Sequence, residues 1–265
     1  MYLADYHIHT NASEDCRESL DNMCQSALEK GISEIAVTDH YDPTQNDLFC
    51  EKTYNYKYIQ DQIAQCREKY ADKLIIRNGV ELGQSNLYPQ SAQKLLENDF
   101  DYVIGSVHNL KGDIDLARIK YTPQCDALFT QYLADLLVLA KGGHYDCIGH
   151  LNYPARYAIY AGYRFKLRKF YDPIRAILKT VIAQGKGIEV NCSGFRNKRL
   201  LKSLPDFPIV KLYSELGGEI ITVGTDAHTT KHVGLHLMQG YELIREVGFD
   251  YITTFENRTP TFIKI

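Results

Sequence analysis

Seven short runs rich in β-branched residues alternate with longer amphipathic stretches along the chain, and that alternation limits the fold more than any other feature. The strand candidates are Tyr2–His7, Glu34–Thr38, Leu74–Glu81, Tyr102–Val107, Tyr145–His150, Gly187–Asn191 and Glu219–Thr225. Between them, Leu20, Met23, Cys24, Ala27 and Leu28 follow the i, i+3, i+4, i+7, i+8 stripe of a helix packed on one face. Ile174, Ile177, Leu178, Val181 and Ile182 repeat that stripe, and Leu133, Leu136, Leu137 and Ala140 carry most of it. Asp172-Pro173 reads as an N-cap followed by proline at the first helical position. Gly31, Gly142-Gly143, Gly185 and Gly217-Gly218 fall where helical stretches give way to strands, as helix C-termini favour. Such alternation predicts a mainly parallel sheet. About seven β/α units in 265 residues predict an α/β fold closed or nearly closed into a TIM-like barrel, which takes about 250 residues. An open doubly wound sheet is the alternative. Tyr153–Arg168, rich in tyrosine and arginine, reads as an excursion between the fifth strand and its helix. With no linker, repeat or low-complexity tract, residues 1–265 are expected to form one domain.

Charge and cysteine usage exclude several classes. The 30 basic and 33 acidic residues give a net charge of -3, which offers no general attraction for nucleic acid or membrane. No apolar run approaches the roughly 20 residues of a membrane helix, and Met1-Tyr2-Leu3-Ala4-Asp5 shows no secretory pattern. A cytoplasmic location is the expectation. The seven cysteines lie singly, with no CxxC pair, so they read as free thiols rather than as a structural zinc knuckle.

The histidines are distributed differently. Of nine, six lie at or just past the C-terminal end of a predicted strand: His7, His9, His40, His108, His150 and His228. Glu81 and Asp226 hold the same kind of position. In a β/α barrel these ends converge on the face where chemistry is done. One histidine in a strand is ordinarily a hydrogen-bonded core residue, and Asp39-His40 alone reads equally as a turn; the recurrence at strand ends carries the argument. His7-Ile8-His9 and Asp226-Ala227-His228 each offer two ligands to one side, and a buried Glu81 is costly unless it is paired or metal-bound. His144 precedes a strand and belongs at the opposite end. His232 and His236, four apart on a predicted helix, have no acidic third ligand nearby, so all three fall outside the site. Imidazoles and carboxylates without thiolate suit zinc, manganese or iron. More ligands than one ion needs imply several divalent ions, with Glu81 as a bridge holding two about 3.5–4 Å apart.

The ordered set His7-Ile8-His9-Thr10, Ser13-x-Asp15, Thr38-Asp39-His40, Gly79-Val80-Glu81, Gly105-Ser106-Val107-His108, Ile148-Gly149-His150 and Gly224-Thr225-Asp226-Ala227-His228 resembles the polymerase and histidinol phosphatase (PHP) superfamily. The motifs run from residue 7 to residue 234. The Gly105–His108 motif, the Asn191–Arg196 stretch and Val233-Gly234 after Asp226-Ala227-His228 look like the histidinol-phosphatase branch. The resemblance implies a distorted seven-stranded barrel with three metal ions. One would take His7, His9, Glu81 and Asp226, a second Asp15, His40 and His228, and a third His108 and His150, sharing Glu81. Some superfamily members have histidine where this chain has Asp15, which hardens the second site. Asp15 also reads as an N-cap for the helix that follows.

The activity so implied is hydrolysis of L-histidinol phosphate, a step of histidine biosynthesis, by a metal-bridging hydroxide, with Glu81, Asp226 and His228 closest to the chemistry. No GxSxG or CxxxxxR pattern offers a side-chain nucleophile. Metal ions would supply most of the charge stabilisation. Arginine suits a phosphate through its planar fork, and by resemblance Arg156 and Arg196 are the candidates. Asp42 or Asp115 would recognise the ammonium or imidazole of the substrate. The rival readings are a PHP nuclease or phosphoesterase acting on nucleotides or another small monoester, a non-catalytic metal-binding module and a metallo-amidohydrolase. The near-neutral charge weighs against a nucleic-acid substrate, and the presence of every ligand type weighs against a non-catalytic module.

Overall fold

The computed structural model describes residues 1–265. In chain order its strands are Ala4–Ile8 (β1), Glu34–Val37 (β2), His40–Tyr41 (β3), Ile75–Gly83 (β4), Tyr102–Ser106 (β5), Asn109–Leu110 (β6), Ile114–Asp115 (β7), Cys147–Ile148 (β8), Gly187–Asn191 (β9), Ile221–Gly224 (β10), Tyr251–Glu256 (β11) and Thr259–Lys264 (β12). Seven of them pair side by side in parallel, in the order β1-β2-β4-β5-β8-β9-β10. The ends meet: the His9 amide donates to the Ala227 carbonyl at 2.9 Å and the Ala227 amide donates to that of His7 at 3.3 Å. The result is the nearly closed (β/α)7 barrel that the alternation predicts. β3 pairs with the far end of β4, aligning His40 with Glu81. The hydrophobic core runs continuously from Ala4 to Phe255. All seven cysteines are buried free thiols, and no helix is long and apolar enough to cross a membrane.

The helices follow their apolar stripes. Leu20–Glu29 buries Leu20, Met23, Cys24 and Ala27, and its Ser19 cap accepts from the Asn22 amide. Tyr171–Ala183 buries Ile174, Ile177, Leu178 and Val181. Gly185, at φ +63°, reverses the chain into β9. Some boundaries differ from the sequence reading. The helix predicted to start at Pro173 starts at Tyr171, so Asp172 and Pro173 sit in its first turn. Proline is tolerated there because first-turn amides lack intrahelical partners. The fifth barrel strand shrinks to Cys147–Ile148. His232 and His236 do not share a helix: the helix begins at Leu237, and His236 is its cap in the left-handed region at φ +65°.

The sequence reading also missed the terminal hairpin of β11 and β12, which closes the barrel's N-terminal end. The Phe255 ring packs on Tyr102 and Tyr6, with centroids 5.0 and 6.4 Å away, and its amide donates to the Tyr6 hydroxyl. Thr253 Oγ1 accepts from the Ile221 amide, Asp101 from that of Asn257, and Arg258 pairs with Asp146. Asp101, Asp146 and Ile221 stand at or just before the starts of their strands, so the hairpin satisfies polar groups that a barrel bottom leaves open. Phe255→Ala is expected to cost about 3–5 kcal/mol, the range for large aromatic truncations. Urea unfolding should show it as a lower midpoint at unchanged slope, whereas an unchanged midpoint would mean that the hairpin does not brace the barrel.

Candidate metal centre

At the opposite end the strand termini bring the candidate ligands together. The register of β1 against β2 shifts between Asp5 and Ile8. This irregularity lets the adjacent Tyr6 and His7 both reach the interior: Tyr6 packs on Tyr102, and His7 Nε2 stands 3.1 Å from Glu81 Oε2. His9 Nε2 is 3.0 Å from His7 Nε2, 3.5 Å from Glu81 Oε2 and 3.6 Å from Asp226 Oδ1. His40 Nδ1 is 3.3 Å from the same Glu81 oxygen. The other oxygen, Oε1, faces His150 Nε2 at 2.8 Å and His108 Nε2 at 3.1 Å, and accepts from the Ser106 hydroxyl at 2.8 Å. His228 Nε2 and Asp15 Oδ2 meet at 3.0 Å, with His40 Nε2 3.8 Å from that oxygen. Asp15 therefore faces the cluster, and the cap of the following helix is Ser19. His144, outside the site as expected, feels the charge of Arg258 at the hairpin end.

The electrostatics ask for cations. Burial alone would push the Glu81 carboxyl up, but His7, His108 and His40 hold it well below the usual range. For Asp226, burial is likewise outweighed by His7, Arg156 and His228. Burial and the neighbouring imidazoles of His228, His40 and His7 push His9 well down, which leaves it neutral with a lone pair to donate. His7 is raised despite burial because Glu189, Glu81 and Asp226 surround it. Asp15, Asp42, Glu81, Glu189 and Asp226 thus gather around imidazoles, while the guanidinium bound among them is that of Arg156. The donor set is imidazole and carboxylate with no thiolate, and subsets of it lie within 4.8 Å of one another. It fits zinc, manganese or iron.

Residues beyond the predicted ligands fix this geometry. Glu189 Oε1 accepts from His7 Nδ1 at 2.6 Å, which aims Nε2 at the cluster, and Oε2 accepts from the His150 amide at 2.8 Å. A Cβ at Gly224 would sit 2.4 Å from His7 Cβ and 2.6 Å from Glu189 Oε1, so only glycine lets these groups approach. Asp39 accepts from the Thr10 amide and from the Thr10 and Ser13 hydroxyls, anchoring the loop that follows His9. Gln84 accepts from the His108 amide and donates to Asp42. The sequence offered one clue to Glu189: a glutamate inside a strand buried along its whole length needs a buried partner.

The substrate-side expectations fare unevenly. Arg156 lines a strongly polar cavity of about 440 Å³ above the cluster, donates to Asp226 Oδ2 at 2.9 Å and to the Ser193 hydroxyl, and stacks on Tyr153. Arg196 does not line it. Its guanidinium grips the carbonyls of Thr225 and Asp226 and so holds Asp226 at φ +54°, a conformation uncommon for a non-glycine residue. Asp42 also lines the cavity, where His108 Nδ1 at 2.9 Å, His40 Nδ1 at 3.1 Å and Gln84 engage it, so it orients the imidazoles from that wall. Asp115 lies at the cavity wall, where it accepts from the Ala117 amide and pairs with Arg118 at 3.1 Å.

A PHP domain model matches residues 5–193. The histidinol-phosphatase of Lactococcus lactis is 29% identical over 96% of this chain and 95% of its own length. A probable histidinol-phosphatase of Thermotoga maritima is 25% identical, covering 94% of each. A crystal structure of the L. lactis histidinol phosphate phosphatase, complexed with zinc, L-histidinol and phosphate, superposes with a TM-score of 0.83 and 26% identity over 98% of both chains.

Glu189→Gln is expected to weaken divalent-metal affinity about 10–100-fold, as losses of a ligand's orienting partner do. Competitive chelator titration measures this directly. Unchanged affinity would mean that the Glu189 carboxylate does not tune His7.

Proposed function

The chain belongs to the PHP domain family, and from that premise we propose that it is a metal-dependent phosphomonoesterase hydrolysing L-histidinol phosphate to L-histidinol and phosphate. The observation that carries the reading is the two-sided environment of Glu81, whose oxygens each face their own imidazoles beneath a cavity walled by Arg156. The L. lactis relative, whose structure holds zinc, L-histidinol and phosphate, supports the choice of substrate and of zinc as one metal.

In this reading His7, His9, Glu81 and Asp226 hold one ion, Asp15, His40 and His228 a second, and His108 and His150, with Glu81, a third. When bound, such ions lower the pKa of a coordinated water and screen the phosphate oxygens. The protein supplies the rest. Arg156 keeps N–H donors beyond those given to Asp226 and Ser193, and these orient a non-bridging phosphate oxygen. Its stacking on Tyr153 and its bond to Asp226 restrict the fork before substrate arrives. Arg196 acts one step back, fixing the backbone that presents Asp226 and His228. Asp42 and Glu189 keep His108 and His7 in the tautomers that turn Nε2 inward. Residues 1–265 serve as one domain of this kind, and the reading puts the enzyme in cytoplasmic histidine biosynthesis.

Phosphate release from histidinol phosphate, a nucleoside monophosphate and a short oligonucleotide tests this proposal. Rapid turnover of histidinol phosphate is expected, abolished by a chelator and restored by zinc or manganese; turnover of the oligonucleotide alone would replace the reading with a nuclease. Glu81→Ala should remove activity together with bound metal, measured by elemental analysis. Full activity at normal metal content would exclude Glu81 as a bridge.

A further inference from the structure

A second concentration of charge lies outside the metal centre. The segments following the fifth and sixth barrel strands carry Arg164, Lys166, Arg168 and Lys169 on one side and Lys198, Arg199 and Lys202 on the other. Lys169 is paired with Asp126 at 2.7 Å and Lys202 with Asp206 at 3.3 Å. Arg164, Lys198 and Arg199 form no ion pair, yet all three line one cleft of about 470 Å³ with Ile159 and Gly162. None of these residues lines the cavity over the metal centre. Ile159 and Arg164 carry the cleft into a neighbouring hollow of about 200 Å³, where Lys166 adds a further cation and Asp206 is occupied by Lys202.

The cleft is partly preset. Arg199 donates to the Tyr160 carbonyl at 3.2 Å, and its guanidinium lies 5.1 Å from the centre of the Tyr160 ring. The three cations are exposed and share one hollow, so an anion between them relieves a repulsion that water and salt only screen, and this arrangement occurs on a chain whose net charge is -3. Two planar forks and one point charge match the oxygens of a phosphoryl group. We propose that this cleft is a second binding site, for a phosphate-bearing anion, independent of which ester the metal centre cleaves.

The site is also wired to the first. Asn197 donates to the Arg156 carbonyl at 2.9 Å and accepts from the amides of Arg199 and Leu200, each at 3.1 Å. An anion drawing Lys198 and Arg199 toward Arg164 therefore acts on the strap between Arg156 and Arg196. Its source is either free inorganic phosphate or the phosphoryl group of a larger metabolite, whose body would lie against the exposed Tyr160 ring.

Calorimetric titration of the metal-loaded protein with inorganic phosphate, and separately with adenosine diphosphate, counts the sites. Two phosphates per chain are expected in the parent protein and one in the triple variant Arg164→Gln, Lys198→Gln, Arg199→Gln, with turnover at saturating substrate unchanged. Diphosphate binding at the lost site about tenfold tighter than phosphate identifies a larger metabolite as the occupant, because more charged hydrogen bonds form; the reverse order identifies free phosphate. One phosphate in both proteins, or two in both, overturns the proposal. Should the variant fold poorly by thermal melting, a tungstate soak of parent crystals decides: an anomalous peak among the three side chains supports the site, and a peak at the metal centre alone overturns it. Absence of histidinol phosphate turnover in the earlier assay, with one phosphate in the parent and none in the variant, would remove the metal-centre reading alone and leave this site standing.

Discussion

A carboxylate buried at the centre of the barrel mouth and shared by two groups of imidazoles is the constraint on which the rest of the molecule depends. A lone charge there would cost several kcal/mol. Glu81 offsets that cost with close imidazole and hydroxyl neighbours: Oε2 faces His7, His9 and His40, and Oε1 faces His108, His150 and Ser106. The imidazoles need orienters in turn, which brings Glu189, Asp42 and Gln84 into the shell around them. The polar end is thus a network that works only when complete. The aromatic packing of Tyr6, Tyr102 and Phe255 at the other end of the barrel supplies the conventional stability.

Much of this was legible in the residues themselves. The period of the helices, the glycine joints and the count of β/α units predicted the parallel barrel. The repeated placement of histidine at strand ends predicted which side chains would converge, because strand direction alone sends those ends to one face. What escaped was set by tertiary context. The closing hairpin escaped because the groups it meets, Tyr6, Asp101 and Asp146, come together only once the barrel bottom is assembled. The fifth strand is short because the chain turns away at His150, whose φ is +23°.

Charged side chains near the mouth were harder to sort. Arg156 and Arg196 look alike in sequence, and so do Asp42 and Asp115, since residue type says nothing about where a flexible side chain finds its partner. Arg156 reaches over the cavity, whereas Arg196 turns to two carbonyls. Asp42 faces the cavity while engaged by two imidazoles and an amide. Glu189 went unread because it sits inside a strand rather than at its end, one layer below the ligands it steers.

The seam between the first strand and β10 has a consequence for how the chain is made. Ile8 bridges to Ala227, and Tyr6 waits for Phe255. While a ribosome is still translating the intervening residues, the first strand has one neighbour and one bare edge, the kind of surface that invites mispairing. The histidines at its tip likewise have no Asp226 to face. Completion of the ring is therefore a late event in synthesis, and until then the bare edge of the first strand is open to other chains.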